Sequence, residues 1–313
     1  MGSEMCIRDR FSFICSLSLI ILTQKHFLSK GYVDSINDRS SHSSIATRSG
    51  GVSVFLTLFL IATYNYVSGN TIFDYSIIIP LALLVIVGLY DDIYSVDFKL
   101  KFLFQIIAAK IIIDNGLIID NIHGILGIYE LNRIVAQLLT IFIIVAIINA
   151  INFIDGIDGL AISIIAVFII LFEFFALNIS PFYNVSLIII SALLPLYYFN
   201  FRKSNKVFLG DAGSLFLGGI VSIYVVYILN NEYLIKPIYD IHKILFVLSI
   251  LVYPIIDIIR IFCVRIYNKK SPFIPDKNHI HHLILNKVKN HIITVVILVS
   301  ISLGITVLLQ GLF

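Results

Sequence analysis

The chain is a succession of apolar runs, each approaching the roughly 20 residues that a helix needs to cross a hydrocarbon core. Ten can be read: Phe11–Leu28, Gly51–Val67, Ile77–Leu89, Phe102–Ile119, Ile134–Ile148, Leu160–Leu177, Tyr183–Phe201, Leu215–Leu229, Ile244–Ile266 and Ile292–Leu309. A helix satisfies its backbone hydrogen bonds within one segment, which lipid demands of an isolated span. The runs therefore predict an all-α, polytopic integral membrane protein with about ten transmembrane helices and the lipid bilayer as solvent. With 59% hydrophobic and 13% charged residues and a mean hydropathy of +0.99, the composition excludes a soluble globular protein. No space is left for a soluble domain, and no long linker, low-complexity tract or repeat interrupts the pattern. Residues 1–313 therefore read as one transmembrane domain. The first ten, MGSEMCIRDR, read neither as a signal peptide nor as a helix; a misassigned start or an added leader accounts for them, and they carry no functional weight. Cys6, Cys15 and Cys263 are odd in number and read as inert core residues rather than a disulfide framework. Trp is absent, but 16 Tyr can supply the interfacial belt.

The polar stretches follow the first, third, fifth, seventh and ninth runs, so alternation of the spans puts them all on one membrane face. That face carries Lys30, Arg39, Arg48, Lys99, Lys101, Arg202 and further Lys and Arg residues, against Arg133, Lys236 and Lys243 opposite. By the positive-inside rule it is cytoplasmic. A topology signal alone does not explain why carboxylates, amides and imidazoles gather there as well.

Four of the stretches carry chemistry. Asp91 and Asp92 end an apolar run; adjacent carboxylates near lipid persist where a cation offsets them, although a solvated turn would also accommodate them. In NAINFIDGIDG, Asn149, Asn152, Asp155 and Asp158 recur every third position, which on a helix would align oxygen donors along one face. Such oxygens suit Mg²⁺, which keeps water and bridges phosphates, while Gly156 and Gly159 permit close backbone approach. In LGDAGS, Asp211 reads as a plain N-cap, or the flanking glycines expose helix N-terminal N–H groups to a phosphate. His279, His281 and His282 lie in a basic loop without the nearby thiols and carboxylates of a zinc site, so phosphate contact fits them better than a transition metal.

Together these residues resemble the polyprenyl-phosphate N-acetylhexosamine-1-phosphate transferase superfamily. The likeness spans nearly the whole chain, in order: Gly88 to Asp92, Asn149 to Ala161, Phe208 to Ser214, and Ser271 to Leu283. The segment Asp34 to His42, followed by Thr47 to Gly51, is similar to the leader of the O-antigen and teichoic-acid initiating type rather than the peptidoglycan translocase. It departs from that pattern at Ile36, Ile45 and Ala46, where prolines are usual, and at Ser49 within the glycine run.

The resemblance implies transfer of a sugar 1-phosphate from a UDP-N-acetylhexosamine to undecaprenyl phosphate, with release of UMP. The domain is then catalytic, sits in a bacterial inner membrane with its active site towards the cytoplasm, and initiates a cell-surface polysaccharide. It requires Mg²⁺, with Mn²⁺ as substitute, and has no nucleic-acid partner; a homodimer stays open. By the family match Asn152 and Asp211 are the metal ligands. Asp91, Asp92, Lys101 and His279 form the catalytic group, the two carboxylates as electrostatic organisers more than bases. Arg48, Asn149, Asp155, Asp158, His281 and His282 bind substrate. Peptidoglycan translocase is the alternative within the family. An ion-coupled transporter would place its carboxylates at the midplane of paired repeats, and a prenyltransferase would not need LGDAGS or the histidine loop.

Overall fold

The computed structural model describes residues 2–34, 45–230, 233–237, 242–269 and 278–311. Twelve helices are found there: α1 (Gly2–Lys30), α2 (Gly50–Val67), α3 (Ile78–Tyr94), α4 (Phe98–Asp114), α5 (Arg133–Ile154), α6 (Leu160–Phe175), α7 (Tyr183–Asn200), α8 (Gly210–Leu229), α9 (Lys243–Ile250), α10 (Val252–Tyr267), α11 (Ile280–Val288) and α12 (His291–Gly311). Each apolar run falls on one of them or, for Ile244–Ile266, on the pair α9 and α10. Seven are long and apolar enough to cross a membrane, or eight if that bent pair makes one span. The ten expected spans are not reached by this measure, because α6 has 16 residues and the 17 of α4 include Lys99, Lys101, Lys110 and Asp114. The protein is nonetheless a multi-pass helical membrane protein.

Two smaller expectations are corrected. Residues 2–10, read as non-helical, continue α1 as helix. Cys263 is exposed and Cys15 half-buried, so neither is a core residue.

Helix α8 is the axis of the bundle. Between Ala212 and Leu229 every side chain is buried, with α2, α3, α5, α6 and α9 packed around it. Lipid tails are as apolar as leucine, so helices in a bilayer gain little from hiding apolar surface and associate through close van der Waals packing at small residues. The glycines of α8 and its neighbours provide that closeness. A Cβ at Gly51 would lie 2.0 Å from Gly213 Cα, one at Gly88 2.5 Å from Ala212 Cα, and one at Gly218 2.9 Å from Ile148 Cα. Gly51 and Gly88 thus seat the N-terminal turn of α8 against α2 and α3.

Two short strands complete the frame. β1 (Ala46–Thr47) pairs in parallel with β2 (Lys206–Val207), and Phe208 N–H donates to Thr47 O at 2.8 Å. The loop before α2 is thereby stitched to the loop before α8. At the other side α9 and α10 meet at 74°. Pro254 explains the break: it has no N–H for the Ile250 carbonyl and its ring crowds that oxygen, so one helix cannot run through.

Gly51→Ala should force backbone away from backbone, at a cost of about 1–3 kcal/mol or more. The expected result is a lower melting temperature in detergent, with the motifs before α8 displaced. Gly304, whose Cβ would meet nothing within 4 Å, should tolerate alanine; equal effects of the two substitutions would refute the packing role of Gly51.

Candidate active site

The first turn of α8 begins with Gly210 in the left-handed region, φ +73°. A Cβ there would lie 2.7 Å from Asp92 Oδ2 and 2.9 Å from the Arg48 carbonyl, so only glycine fits. Asp92 then reaches from α3 and takes both leading amides, with Asp211 N–H donating to Oδ1 and Ala212 N–H to Oδ2, each at 3.0 Å. Neither of the two readings of LGDAGS holds as made: Asp211 lies in the first turn of α8 rather than at its N-cap, and a fully buried carboxylate from the same chain already takes two of the N–H groups a phosphate would use. Arg48 Nη1 lies 3.7 Å from Asp92, and Nη2 is 2.6 Å from Asp34. Against the cost of burial, Asp34, Asp92 and Asp211 hold the guanidinium charged even more firmly than usual.

Asp211, one residue on, is half-buried. Lys101 of α4 spans two carboxylates, with Nζ 2.5 Å from Asp211 Oδ2 and 2.6 Å from Asp91 Oδ2. Asn152 of α5 donates from Nδ2 to Asp211 Oδ1 at 3.2 Å and to Ser214 Oγ at 2.8 Å. Asp91, Asp92, Asn152 and Asp211 therefore meet from three helices around the side chains of Lys101 and Arg48.

The row of oxygens expected along NAINFIDGIDG is broken, because α5 ends at Ile154 and the chain turns. Asn149, one turn before Asn152 on α5, pairs with Gln105 of α4, donating to Oε1 at 2.6 Å. Asp158 is buried and holds Lys206 in an ion pair; its backbone N–H donates to His291 Nδ1 at 3.2 Å, and that ring also lies 3.2 Å from its carboxylate. Burial would raise its pKa, but His291 and Lys206 outweigh burial and keep it below the ordinary carboxylate value. Asp158 thus ties the turn to β2 and to the start of α12. Asp155 is half-buried: burial, then repulsion from Asp211, outweighs the charge of Arg48 and pushes it up to about 7.

The histidines approach from α11. His279 stands immediately before its first turn, His281 is fully buried, and the His281 and His282 ring centroids are 4.3 Å apart. Gly156 lies under them, since a Cβ there would be 2.5 Å from His281 Nε2 and 3.2 Å from His282 Nε2. Burial, followed by repulsion from His282, pushes the His281 pKa down to about 3, so it is neutral. A carboxylate does stand beside these histidines, contrary to the reading of the loop alone: Asp257 Oδ2 of α10 is 2.6 Å from His279 Nδ1.

Asp91, Asp92, Lys101, Arg48, Asn152 and Asp211 are therefore one cluster. His279, His281 and His282 join the Asp155–Asp158 turn through Gly156, and Asn149 pairs with Gln105 and lines the apolar groove beside α5. Sequence reading missed Lys206, His291, Tyr253 and Asp257. For Asp257 a signal was present: an acid inside an apolar run is costly and rarely accidental. Residues 35–44 and 270–277, including Arg39 and the Pro272–Lys277 part of the last motif, lie outside the described residues.

An apolar groove of about 740 Å³ opens beside the cluster, lined by Phe102, Ile106, Leu138, Phe142, Phe153, Ile255 and Phe262 among others from α4, α5, α8, α9 and α10. Phe102 adjoins Lys101 and Phe153 adjoins Asn152 in the chain, and the Phe153 ring lies 5.9 Å from that of His279.

Residues 75–229 match the family described as glycosyl transferase family 4. The Bacillus subtilis "Probable undecaprenyl-phosphate N-acetylglucosaminyl 1-phosphate transferase" is 32% identical over 96% of this chain and 84% of its own length. The Pasteurella multocida undecaprenyl-phosphate alpha-N-acetylglucosaminyl 1-phosphate transferase is 32% identical over 82% and 71%. The Mycobacterium leprae decaprenyl-phosphate N-acetylglucosaminephosphotransferase is 28% identical over 86% and 73%. Likeness over nearly all of its length, together with motifs that converge on one cluster, places the chain in glycosyl transferase family 4, among the polyprenyl-phosphate N-acetylhexosamine-1-phosphate transferases.

Proposed function

We propose that the protein transfers a sugar 1-phosphate from a UDP-N-acetylhexosamine to undecaprenyl phosphate, releasing UMP, at the cytoplasmic face of a bacterial inner membrane. The observation that carries this reading is the apolar groove ending one residue from Lys101 and from Asn152. A lipid tail lying there would deliver its phosphate to the carboxylate and lysine cluster, and the relatives are named for this transfer of N-acetylglucosamine. Their names specify the reaction rather than the glycan; initiation of a cell-surface polysaccharide, O-antigen or similar, is the pathway we favour. They also favour N-acetylglucosamine transfer over the peptidoglycan translocase.

The donor set fits a hard divalent cation. Asp91 and Asp211 lie within hydrogen-bond reach of each other and share one ammonium, and all the anionic donors are oxygens. Asp211 would hold Mg²⁺ or Mn²⁺, with Asn152 presenting its amide oxygen after a half-turn of the amide. When bound, the cation supplies charge neutralisation to the diphosphate.

The chain's own residues do the rest. Lys101 and Arg48 balance the negative charge that meets there, and Asp92 keeps the first turn of α8 in place. A non-bridging oxygen of the lipid phosphate attacks the phosphorus next to the sugar. That phosphorus then releases the bridging oxygen, which leaves with UMP. A phosphate monoester has a second pKa of about 6, so the nucleophile is already a dianion near neutrality and a general base adds little. Asp91 is accordingly an organiser of Lys101. Asp155 lines the nucleotide-sugar side, and the three histidines contact the phosphates.

The test is UMP release by the purified protein with undecaprenyl phosphate, Mg²⁺ and a panel of UDP-sugars; a folded, lipid-supplied protein that releases none with any sugar would sink the reading. Asp211→Asn should abolish turnover, by at least about 100-fold, with little change in melting temperature. Asp158→Asn should do the reverse in stability: it leaves Lys206 and His291 without their carboxylate, a loss of about 3–5 kcal/mol for a broken buried pair, read as a melting temperature lower by several degrees. An Asp158→Asn protein as stable as its parent would show that this carboxylate is not a tether.

A further inference from the structure

Helix α10 has two working faces. Pro254, Ile255, Ile258, Ile259 and Phe262 line the apolar groove. Tyr253 and Asp257, one helical turn apart, are buried towards the histidines instead. Asp257 is wholly excluded from solvent, and both its oxygens are used: Oδ2 holds His279 Nδ1 at 2.6 Å, and Oδ1 accepts the Ile280 N–H at 2.7 Å. The Tyr253 hydroxyl lies 2.9 Å from His281 Nδ1. Arg260 Nη1 donates to the Asn278 carbonyl at 2.6 Å, so α10 also holds the backbone that leads into the histidines.

An imidazole's two nitrogens are distinct, and the hydrogen bond made by one sets the role of the other. A carboxylate on Nδ1 requires the proton there, fixes the ring plane and leaves Nε2 for the reaction partner. The ligand atoms of Asp257, His279 and His281 lie within 4.8 Å of one another, a spacing that would also admit a metal ion. A metal would have to displace the His279 contact or the Ile280 amide, whereas the hydrogen-bonded arrangement satisfies both. Burying an acid costs several kcal/mol, and the contacts to His279 and to the Ile280 N–H offset that cost here.

We propose that Asp257 is a positioning residue for the transfer: it locks His279 with Nδ1 protonated and Nε2 presented to the diphosphate of the nucleotide sugar. The role of His279 rests on the transferase reading; the state of its ring does not. Because α10 also lines the groove, the platform that aligns His279 is the wall against which the lipid tail would lie.

Asp257→Asn is the informative variant. The Ile280 N–H keeps the single amide oxygen, so the NH₂ group is turned to His279 Nδ1, which must then become an acceptor. With UDP-N-acetylglucosamine and undecaprenyl phosphate, kcat should fall by about 10–100-fold while KM stays within about threefold, and Asp257→Glu should recover much of the loss. Loss of kcat in proportion to loss of folded protein, with no recovery by Glu, would overturn the proposal. So would an Asp257→Asn enzyme with unchanged kcat. A second readout needs no turnover: ¹⁵N NMR of histidine-labelled protein in lipid, with the His279 signal assigned by its disappearance in His279→Gln. The parent should show a protonated Nδ1 and Asp257→Asn a protonated Nε2; identical spectra would refute the proposal even if the transferase reading stood. If the parent releases no UMP with any sugar, the transferase reading fails and the spectra still decide the state of His279.

Discussion

Close backbone contact at the start of α8 is the constraint on which the rest depends. In a bilayer no hydrophobic force draws one apolar helix to another, so the seat of α8 is decided by where small residues let backbones touch. Gly51 against Gly213 and Gly88 against Ala212 are those places. They lie within one turn of Asp211, and Gly88 is one turn before Asp91 and Asp92. Packing that settles the helices therefore also settles the distances between carboxylates, and no separate scaffold is required for the site.

Electrostatics then ranks the acids. Asp92 is spent on the helix terminus, taking two amides that would otherwise be unsatisfied. Asp158 is spent on Lys206 and His291, and Asp257 on His279. Asp91 and Asp211 share Lys101, whose ammonium occupies the space between them. Asp211 is thus the acid whose partners, a lysine and an asparagine amide, can most readily yield to an incoming cation. The half-buried Asp155 is pushed up to about 7 by burial first and by the charge of Asp211 second.

Much of this was legible in the chain. Apolar runs locate the helices because lipid leaves the backbone few alternatives, and the polar motifs stand out because acids and amides are costly beside lipid. What the sequence could not reveal was partnership. Asp211 and Asn152 are adjacent only after α5 and α8 pack, and nothing local indicates that Asp92 caps a helix 119 residues later in the chain. The third-position rhythm of Asn149, Asn152, Asp155 and Asp158 suggested one helical face, but α5 stops at Ile154, so only Asn149 and Asn152 share a helix while Asp155 and Asp158 lie in the turn beyond it. Asp257 was hidden inside a run read as a simple span, and the break beside Pro254, which separates α10 from α9, was visible only as an awkward proline. The count of ten spans is not matched by length and composition alone, because α6 is apolar but short and α4 is short and charged.

The central claim is that Asp211, presented by the packed N-terminus of α8, is the principal ligand of a divalent cation that serves the nucleotide diphosphate. Electron paramagnetic resonance of Mn²⁺ added to the detergent-solubilised protein with UDP-N-acetylglucosamine tests it without relying on turnover. Specific Mn²⁺ binding with phosphorus coupling is expected in the parent, weakened at least about tenfold, or ~1.4 kcal/mol, by Asp211→Asn in a protein that remains folded. Equal Mn²⁺ affinity in the parent and in Asp211→Asn would contradict the account.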